Sequence, residues 1–554
     1  MNSTIDATVL IAHQRQLLWD GIPWEKVIEQ VRRLQIRIAK AWKEGNFRKV
    51  KSLQRLLQKS FYAKLLAVKR VTSNKGGKTP GIDKVIWKKP ETKKNAASQL
   101  GKDKYIPQPL RRIYILKKNG KKRPLGIPTM LDRAQQALHL LTLEPISETT
   151  ADRNSYGFRP CRSTADAIEQ CFNALARKSC SQYILEGDIK ACFDEISHEW
   201  ILKNIPMDKK ILGKFLKAGF MEKNVFHETT AGTPQGGIIS PTLANMVLDG
   251  VDDYFQSQFG SRIAKHHINF IRYADDFIIT ANSKEFLENE VKPKLAIFLQ
   301  ERGLRLSEEK TKITHIHKGF DFLGQTIRKF KDKLIIKPSD KSIKAILDKI
   351  REICNRNKQA KTSDLIKILN PIIRGWANYH RHVVSSREFS KMDHIIFQII
   401  WKWAKRRHPN KGLRWIKDKY FKSHRGRNWT FTGKCEDGTI IILFNMSRIH
   451  IRRHIKIKQD ANPFDPIWER YFENRERKKL FEKWKGKIQS EYIFERQNNL
   501  CAICNEEIPK KNKWEYHFKK PWMHGGLPQN TNLVIVHPSC HERIHEKNDT
   551  KLGP

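Results

Sequence analysis

The sequence has 554 residues, which is enough for three or four domains of roughly 150 residues each. Its 106 Lys and Arg residues against 58 Asp and Glu residues give a net charge of +48, so nucleic acid is the obvious partner, with a ribosomal-type or membrane-surface protein as the alternative. Because the sequence shows no apolar run of membrane-spanning length and no signal peptide, and most of its cysteines are scattered, we expect an intracellular protein with reduced thiols and no membrane partner.

The N-terminal region, from about residue 24 to 71, has the periodicity of amphipathic helices. Apolar residues recur there at spacings of three and four, at Val31, Leu34, Ile38 and Trp42. A basic, turn-rich loop follows at 75–81. From about 105 to 336, short strand-like runs alternate with helical stretches, which predicts an α/β domain.

The segment 111–128 predicts a β-hairpin, because two strand-like runs flank Asn119-Gly120, a dipeptide that favours tight turns. Lys117 and Arg123 flank this turn and are suitably placed to hold a triphosphate. Exposed basic residues are common on such hairpins, so an ordinary surface hairpin is the alternative interpretation.

Asp188 follows a strand-like run in the segment 185–194. In the pattern Asp188-x-x-x-x-Phe193, the carboxylate could bind two metal ions, and the backbone carbonyl of Ile189 could add a ligand. Phe193 would then lie under the sugar of an incoming nucleotide, where a bulky ring blocks a 2′-hydroxyl. The other interpretation of Phe193 is an ordinary core residue at a strand-to-helix junction.

A glycine-rich loop occupies residues 232–241. Its two adjacent glycines would let the backbone approach a substrate closely. Gln235 offers an amide to a sugar or to a template. A plain turn between two elements is the alternative interpretation.

The residues 268–280 predict a second hairpin, with the adjacent carboxylates of Asp275 and Asp276 at its tip. With Asp188 on a neighbouring strand, these carboxylates suit a pair of Mg²⁺ ions that join a 3′-hydroxyl to an incoming triphosphate. An isolated Asp-Asp pair is usually a solvated turn. The neighbouring motifs favour the catalytic interpretation.

The C-terminal half begins with a helical pattern, from about 342 to 416, that is rich in Trp, Arg and Lys. A strand-like alternation follows at 449–458, and a charged helical segment runs from about 468 to 484. Four further residues have the spacing of a structural zinc site: Cys501, Cys504, His537 and Cys540.

In this order and spacing, the motifs resemble the fingers and palm of reverse transcriptases. More closely, the chain resembles a bacterial group II intron-encoded protein, which is the reverse transcriptase and maturase of a mobile intron; the segments 152–159, 304–312 and 319–324 match this family too. The resemblance implies a catalytic set made of Asp188, Asp275, Asp276 and Lys310, with two Mg²⁺ ions. It also implies a nucleotide-binding set made of Lys117, Arg123, Ile189, Phe193, Gln235 and Tyr273.

The segment 371–380 is similar to the signature of the family's helical thumb, called domain X, and the basic segment 401–409 follows it. We interpret Trp376 and Trp401 as core anchors between helices, which leaves the basic residues as candidates for RNA binding. These are Arg374, Lys402, Lys405, Arg406 and Arg407. The segment 449–464 resembles the DNA-binding segment of the intron proteins.

The C-terminal segment resembles the H-N-H endonuclease module of many group II intron proteins. By this resemblance, His517, His541 and His545 would hold one Mg²⁺ ion, and Asn532 would orient the general base. That base should be a histidine at position 518, where the chain has Phe518, and a phenyl ring cannot accept a proton. We therefore expect a module that folds but is catalytically impaired, unless His517 takes over the base role.

Together these observations predict a multidomain α/β and α protein. It would consist of a right-hand polymerase with a helical thumb, a small DNA-binding segment and a zinc-containing H-N-H module of the ββα-metal type. The expected boundaries are 1–80 for the N-terminal extension and first fingers helices, 81–338 for the reverse transcriptase fingers and palm, 339–430 for domain X, 431–490 for the DNA-binding domain and 491–554 for the H-N-H module.

The resemblance implies an RNA-directed DNA polymerase and maturase in the bacterial cytoplasm, associated with the nucleoid when it is on target DNA. Such a protein binds group II intron RNA, promotes its splicing and copies it into target DNA from dNTPs during retrohoming. One alternative is a maturase that only assists splicing, which would have no need of the three intact aspartates. Another is a host-domesticated reverse transcriptase in defence, against which the thumb signature and the nuclease remnant argue.

Overall fold

The computed structural model describes residues 19–102, 104–116, 120, 122–223, 225–424, 426–484, 487–508, 514–521, 526 and 529–550, without the side chains of 480–484, 487–489, 530 and 545–550. The α-helices of these residues are α1 (Trp24–Lys43), α2 (Phe47–Lys59), α3 (Phe61–Thr72), α4 (Pro90–Gln99), α5 (Met130–Thr150), α6 (Thr164–Leu175), α7 (Cys192–Glu195), α8 (His198–Asn204), α9 (Lys209–Leu216), α10 (Ser240–Leu248), α11 (Val251–Phe259), α12 (Arg262–His266), α13 (Lys284–Phe286), α14 (Lys292–Gln300), α15 (Asp340–Arg356), α16 (Thr362–His380), α17 (Ser386–Arg407), α18 (Leu413–Tyr420), α19 (Glu469–Trp484), α20 (Lys487–Arg496) and α21 (Pro538–Thr550).

The strands of the described residues are β1 (Leu110–Leu116), β2 (Lys122–Ile127), β3 (Tyr183–Asp188), β4 (Phe220–Glu222), β5 (Val225–His227), β6 (Asn269–Tyr273), β7 (Asp276–Ala281), β8 (Lys312–His315), β9 (Phe320–Phe322), β10 (Gln325–Phe330), β11 (Lys333–Pro338), β12 (Phe421–His424), β13 (Arg427–Lys434), β14 (Ile440–Ile442), β15 (Glu515–Phe518) and β16 (Leu533–Val536). None of the helices in these residues has the length and apolar character needed to cross a membrane.

Helices α1 to α3 confirm the helical prediction for the N-terminal region. Val31 and Ile38 are buried, as their spacing on one face of α1 requires. The long helix α5 lies between these helices and the rest of the molecule: Leu138 belongs to the N-terminal core, whereas Leu143 belongs to the core beneath the sheet of β3. The amide of Gln35 on α1 donates a hydrogen bond to the carbonyl of Leu141 (2.8 Å) and fastens the two layers.

The central sheet has the strand order β6-β7-β3-β8, and all its pairs are antiparallel. Strands β6 and β7 form the predicted hairpin, with Tyr273 paired to Asp276 at its end. The sheet is buried on both faces, because apolar residues of β7 such as Phe277 and Ile278 pack into two different cores. This double burial fixes the edge of the sheet at which the aspartates lie.

The hairpin sheet has the strand order β2-β1-β4-β5. Strands β1 and β2 pair from Arg111–Ile127 to Leu116–Lys122, so the predicted hairpin at 111–128 is confirmed. Lys117 and Asn119 of its turn lie outside the described residues.

The helical layer consists of α15 to α18, which confirms the helical prediction for 342–416. Its core includes Ile350, Leu369, Ile396 and Trp403, and the small sheet β12-β13-β14 packs against it through Phe431. Strands β9, β10 and β11 form a separate sheet that precedes α15 in the chain.

The strand prediction for 449–458 was wrong. This segment contains no strand and follows an irregular path along the N-terminus of α6. The reason is a competing partner: the buried carboxylate of Asp166 accepts hydrogen bonds from Ile457 N (2.7 Å), His454 Nε2 (2.8 Å) and Arg475 (2.9 Å). Ile457 is fully buried. The apolar residues of the segment therefore do not share one buried face: Ile457 packs beside α6, whereas Ile451 and Ile455 are exposed.

The C-terminal module, residues 487–550, follows α19 and has a ββα arrangement. Strands β15 and β16 pair antiparallel from Glu515–Val536 to Phe518–Leu533, and α21 follows directly. Its small core contains Phe494, Phe518 and Ile535.

Candidate active site and metal clusters

Three carboxylates meet at one edge of the central sheet. Asp188 is the last residue of β3 and lies opposite Asp276, the first residue of β7, while Asp275 lies in the turn between β6 and β7. Lys310 Nζ forms an ion pair with the Asp188 carboxylate. The structure thus brings together the four residues for which the sequence suggested a catalytic role.

The electrostatics of this edge favour a bound cation. The Asp276 side chain is exposed, yet desolvation by the surrounding protein and the negative charges of Asp275 and Asp188 raise the pKa of Asp276 to about 6. The pKa of Lys310 is also raised, chiefly by its hydrogen bond to Asp188. Because carboxylate oxygens are the ligands that Mg²⁺ prefers, these residues fit a divalent cation site.

The turn that carries Asp275 is held from beneath by Arg272, which the sequence analysis did not single out. Its guanidinium is 1% exposed, pairs with Asp249, and donates hydrogen bonds to Asn245 Oδ1 (3.0 Å) and to the carbonyl of Ala274 (3.2 Å). Ala274 has a left-handed φ of +58°. The buried charge is therefore paired with Asp249, and one of its hydrogen bonds helps to fix this turn. The sequence signal that could have indicated Arg272 was a charged residue within a segment that reads as a strand.

Gly157, in the segment 152–159, lies where the backbone of this segment approaches the active-site turn closely. A Cβ at Gly157 would lie 2.3 Å from Ala274 N and 2.9 Å from the carbonyl carbon of Tyr273. The neighbouring Tyr156 N donates a hydrogen bond to the carbonyl of Arg272 (2.9 Å). The segment therefore packs directly against the turn that carries Asp275, which no larger residue would permit.

The segment 304–312 lies alongside the end of β3 and delivers Lys310. Ile189 pairs with Leu306 in an isolated bridge, with hydrogen bonds from Ser307 N to Asp188 O (2.8 Å) and from Lys190 N to Arg305 O (3.0 Å). The Ile189 side chain is buried. This bridge places the lysine beside the carboxylates although it is far away in sequence.

Arg123 and Gln235, which come from different motifs, are in contact. Arg123 Nε donates to Gln235 Oε1 (2.9 Å), and Gln235 Nε2 donates to Asp194 Oδ2 (3.0 Å). Gly236 has a φ of +118°, and a Cβ there would lie 2.4 Å from the carbonyl oxygen of Gly126. The glycine loop therefore packs against β2, which brings the hairpin sheet to the active-site edge.

Phe193 lies beside this polar chain and lines a cavity of about 300 Å³ together with Gln235. It is half-buried, packs against the core beneath the sheet and meets the ring of Phe158 edge-on at 6.4 Å. Tyr273 is also half-buried, at the end of β6. Lys117, the remaining residue of the proposed nucleotide-binding set, lies outside the described residues.

Three of the candidate RNA-binding residues of the helical layer line two cavities. Lys402 and Arg406 line a cavity of about 260 Å³ beside Asn355, and Lys405 is exposed on the same helix. Arg374 is exposed over the ring of Phe444 (4.8 Å) and lines another cavity of about 220 Å³.

Arg407 has a different environment from its neighbours. Its guanidinium donates hydrogen bonds to the carbonyls of Lys358 (3.2 Å) and Ala360 (2.6 Å) and lies over the ring of Trp403. These contacts tie the end of α17 to the loop after α15. Trp376 and Trp401 pack against the core of the helical layer, in keeping with the interpretation that they are anchors.

Four zinc-type ligands converge in the C-terminal module. One ligand atom each from Cys501, Cys504, His537 and Cys540 lies within 4.8 Å of all the others. Against the opposing effect of burial, hydrogen bonds from the backbone N–H groups of Cys504 and His537 help to lower the pKa of Cys501 to about 6. A thiolate at neutral pH and this donor set fit a structural Zn²⁺ ion.

A second cluster joins His517 and His541 of the module, both buried, to the buried carboxylate of Glu473 on α19. The side chain of His545 lies outside those that the structure describes. Sequence analysis did not single out Glu473, because it lies on α19, more than 40 residues before the motif.

In this module, Phe518 packs in the core and Asn532 forms hydrogen bonds with the backbone of a loop. Phe518 is 2% exposed and belongs to the core of the module. Asn532 receives a hydrogen bond from Lys520 N and donates one to Lys520 O, both 2.9 Å, and so closes the loop between β15 and β16.

Four family models match the chain: reverse transcriptase (RNA-dependent DNA polymerase) over residues 115–327, the N-terminal domain of reverse transcriptase over 19–100, the group II intron maturase-specific domain over 343–421 and HNH endonuclease over 501–547. Among solved structures, apo telomerase from Candida tropicalis has a TM-score of 0.35 at 14% identity, covering 57% of this chain and 64% of that one.

Two bacterial relatives extend the match. Protein YkfC of Escherichia coli K12 is 35% identical over 50% of this chain and 83% of its own length. The group II intron-encoded protein LtrA of Lactococcus lactis subsp. cremoris is 32% identical over 57% of this chain and 68% of its own length. With the polymerase, maturase and HNH matches, these relatives show that the chain belongs to the group II intron-encoded proteins and is a reverse transcriptase and intron maturase.

Proposed function

We propose that this protein binds its own group II intron RNA, promotes its splicing and copies it into DNA at a target site during retrohoming. The observation that carries the polymerase part is the meeting of Asp188, Asp275 and Asp276 at one sheet edge, with Lys310 beside them. A maturase that acts only in splicing has no use for such a set.

The three aspartates would hold two Mg²⁺ ions, which lower the barrier to attack of a primer 3′-hydroxyl on a dNTP. The backbone carbonyl of Ile189 is proposed as an additional ligand. Lys310 is proposed to offset the charge of the departing pyrophosphate, and its ion pair with Asp188 supports this by keeping the ammonium beside the carboxylates. Arg272 keeps the Asp275 turn in place while these groups act.

The nucleotide is proposed to bind between the hairpin sheet and the central sheet. Lys117 and Arg123 would contact the triphosphate, and Gln235 and Tyr273 would lie near the sugar and the base. The hydrogen bond between Arg123 and Gln235 supports this arrangement, because it joins the phosphate side to the sugar side of the cavity. In this assignment the hairpin sheet belongs to the fingers and the central sheet is the palm.

Phe193→Val is expected to lower discrimination against ribonucleotides by roughly 10–100-fold, because a smaller side chain admits a 2′-hydroxyl. The measurement is the ratio of dNTP to rNTP incorporation efficiency on an RNA template. Phe193→Tyr keeps the ring and should retain the discrimination. An unchanged ratio in Phe193→Val would instead assign the residue to the core, which it also contacts.

The helical layer is proposed to be the thumb and to bind intron RNA through Lys402, Lys405 and Arg406 on α17. These side chains are exposed on one helix, and phosphate contacts from such a surface make binding strongly salt-dependent. Arg374 would contact the RNA from its separate cavity. Arg407 is included in the proposed set, although its contacts with Lys358 and Ala360 already use part of its donor capacity.

The RNA assignment is tested by sequencing the RNA that co-purifies with the protein, followed by binding measurements with that RNA. Replacing Lys402, Lys405 and Arg406 with alanine should weaken binding and reduce the salt slope by about 0.7–0.9 per lost phosphate contact. The matched control removes three exposed lysines elsewhere: Lys203, Lys210 and Lys217. Equal losses in the two triple variants would mean that the thumb surface has no special role.

Target DNA is proposed to bind a basic cleft of about 700 Å³ between α6, the end of α16 and α19. Among the described residues of its lining, Glu515 is the one acidic residue. The basic residues of the lining are Arg381, Arg452, Arg453, Arg470, Arg475, Arg477, Lys478 and Lys479. Such a concentration of positive charge suits a phosphate backbone, and it includes the segment that resembles the family's DNA-binding region.

In the C-terminal module, Cys501, Cys504, His537 and Cys540 are proposed to hold a structural Zn²⁺ ion. His517, His541 and His545 are proposed to hold a catalytic-type divalent ion, with Asn532 supporting the loop beside them. We propose that nicking is impaired, because Phe518 occupies the position of the general base and its side chain is part of the apolar core.

A further inference from the structure

The cluster around His517 and His541 contains a carboxylate from outside the C-terminal module. Glu473 lies on α19, is 2% exposed, and has an oxygen 3.0 Å from His517 Nδ1 and 3.7 Å from His541 Nε2. One ligand atom from each of the three residues lies within 4.8 Å of the others. A buried acid between two imidazoles is the geometry of a three-ligand metal site.

The surroundings of these side chains orient the same atoms toward one point. Glu515 Oε2 lies 2.5 Å from His541 Nδ1, and this contact turns His541 Nε2 toward Glu473. A carboxylate on the distal ring nitrogen is the usual outer partner of a metal-binding histidine. Phe518 N donates a hydrogen bond to Glu473 Oε1 (2.9 Å) and holds the carboxylate in place.

We propose that Glu473 is a ligand of the divalent ion at this site, together with His517 and His541. This inference deepens the metal role proposed above for the two histidines. Together with the proposed ligand His545, these residues offer imidazole nitrogens and one carboxylate, donors that suit Zn²⁺, whereas Mg²⁺ prefers oxygen ligands and its own waters. The site therefore selects Zn²⁺ over Mg²⁺.

The position of Glu473 also makes this ion a link between the C-terminal module and the polymerase. Its neighbour Phe472 is buried in the core that contains Ile168 of α6. Two residues further along, Arg475 pairs with the buried Asp166 of α6 (2.9 Å). Because α19 is fastened to the polymerase in this way, an ion on Glu473 joins the module to the polymerase across their boundary.

The test is a Zn²⁺ titration of the full-length protein against a chromophoric chelator, in excess Mg²⁺ to occupy the polymerase carboxylates. The unmodified protein should bind two Zn²⁺ ions, one at the cysteine site and one at the Glu473 site. Glu473→Gln should keep the first and weaken the second by at least about 100-fold, because loss of an outer partner alone costs 10–100-fold. Glu476→Gln, one helical turn further along α19, is the matched control and should bind both.

Two further measurements separate a lost ligand from a damaged fold. Glu473→His restores a metal ligand and should recover the second Zn²⁺ ion, and primer extension by Glu473→Gln should match that of the unmodified protein. Failure of primer extension in the unmodified protein would reject the polymerase proposal and leave the zinc result intact. The proposal would be overturned if Glu473→Gln bound two Zn²⁺ ions with the affinities of the unmodified protein, or if the unmodified protein bound a single Zn²⁺ ion. Glu473 would then be an ion-pair partner only.

Discussion

Replacing Asp188 or Asp275 with asparagine is expected to reduce primer extension on an RNA template by on the order of 10³-fold. Each change removes one negative charge from the edge where three carboxylates meet, and an amide oxygen is a weaker ligand for Mg²⁺ than a carboxylate. RNA binding should stay near that of the unmodified protein, because the exposed basic surfaces are unchanged.

The matched control for these variants is Asp253→Asn, which neutralises an exposed carboxylate on α11 in the same domain. It should extend primers normally. Steady-state extension rates, measured with filter binding of the same RNA, separate a chemical defect from a binding defect. Retention of a tenth of the activity in either Asp188→Asn or Asp275→Asn would show that the metal ligands are misassigned.

The polymerase site was largely predictable from sequence because each part lies on a local motif. Asp275 and Asp276 stand between two apolar runs, which predicts a hairpin, and the structure contains it. The role of Arg272 was not predicted from the sequence. Alternation in 268–272 suggested that polar residues face solvent, but the central sheet is covered on both faces, so the arginine is buried and bonded beneath the turn.

The segment 449–458 shows why alternation alone misleads. An apolar–polar alternation in the sequence indicates a strand only when a neighbouring strand supplies hydrogen bonds, and here Ile451 and Ile455 are exposed. Here the Ile457 N–H donates its hydrogen bond to the Asp166 carboxylate, which also accepts hydrogen bonds from His454 and Arg475. Hydrogen bonds and charges from these groups outweigh the opposing effect of burial and hold the pKa of Asp166 well below its ordinary value. No pattern in the segment itself reveals such a partner.

The cluster around His517 and His541 contains residues that the sequence indicated and one contact that it could not indicate. The resemblance to H-N-H modules indicated the histidines, and the sequence has Phe518, which lacks a titratable group, at the position expected for the general base. The sequence could not indicate that Glu473 would approach His517, because that contact depends on how α19 packs against the module. It also could not indicate that Phe518 lies in the apolar core, where a replacement imidazole would have to be buried.

Removing the proposed zinc ligand Cys504, as in Cys504→Ser, is expected to unfold the C-terminal module while primer extension continues. The module has a small core around Phe494, Phe518 and Ile535, and a domain of this size rarely folds on apolar burial alone. Zinc binding at such sites is worth about 10–16 kcal/mol at neutral pH, and folding of the module would draw on that free energy.

The measurements are zinc content and protection of residues 487–550 from limited proteolysis. Cys504→Ser should lose both Zn²⁺ ions, because His517 and His541 belong to the same module, and its C-terminal fragment should become cleavable. Cys435→Ser, a half-buried cysteine near β13, is the matched control and should keep both ions and the protection. A protected module in zinc-free Cys504→Ser would mean that the core and the Glu473 cluster hold the fold without the cysteine site.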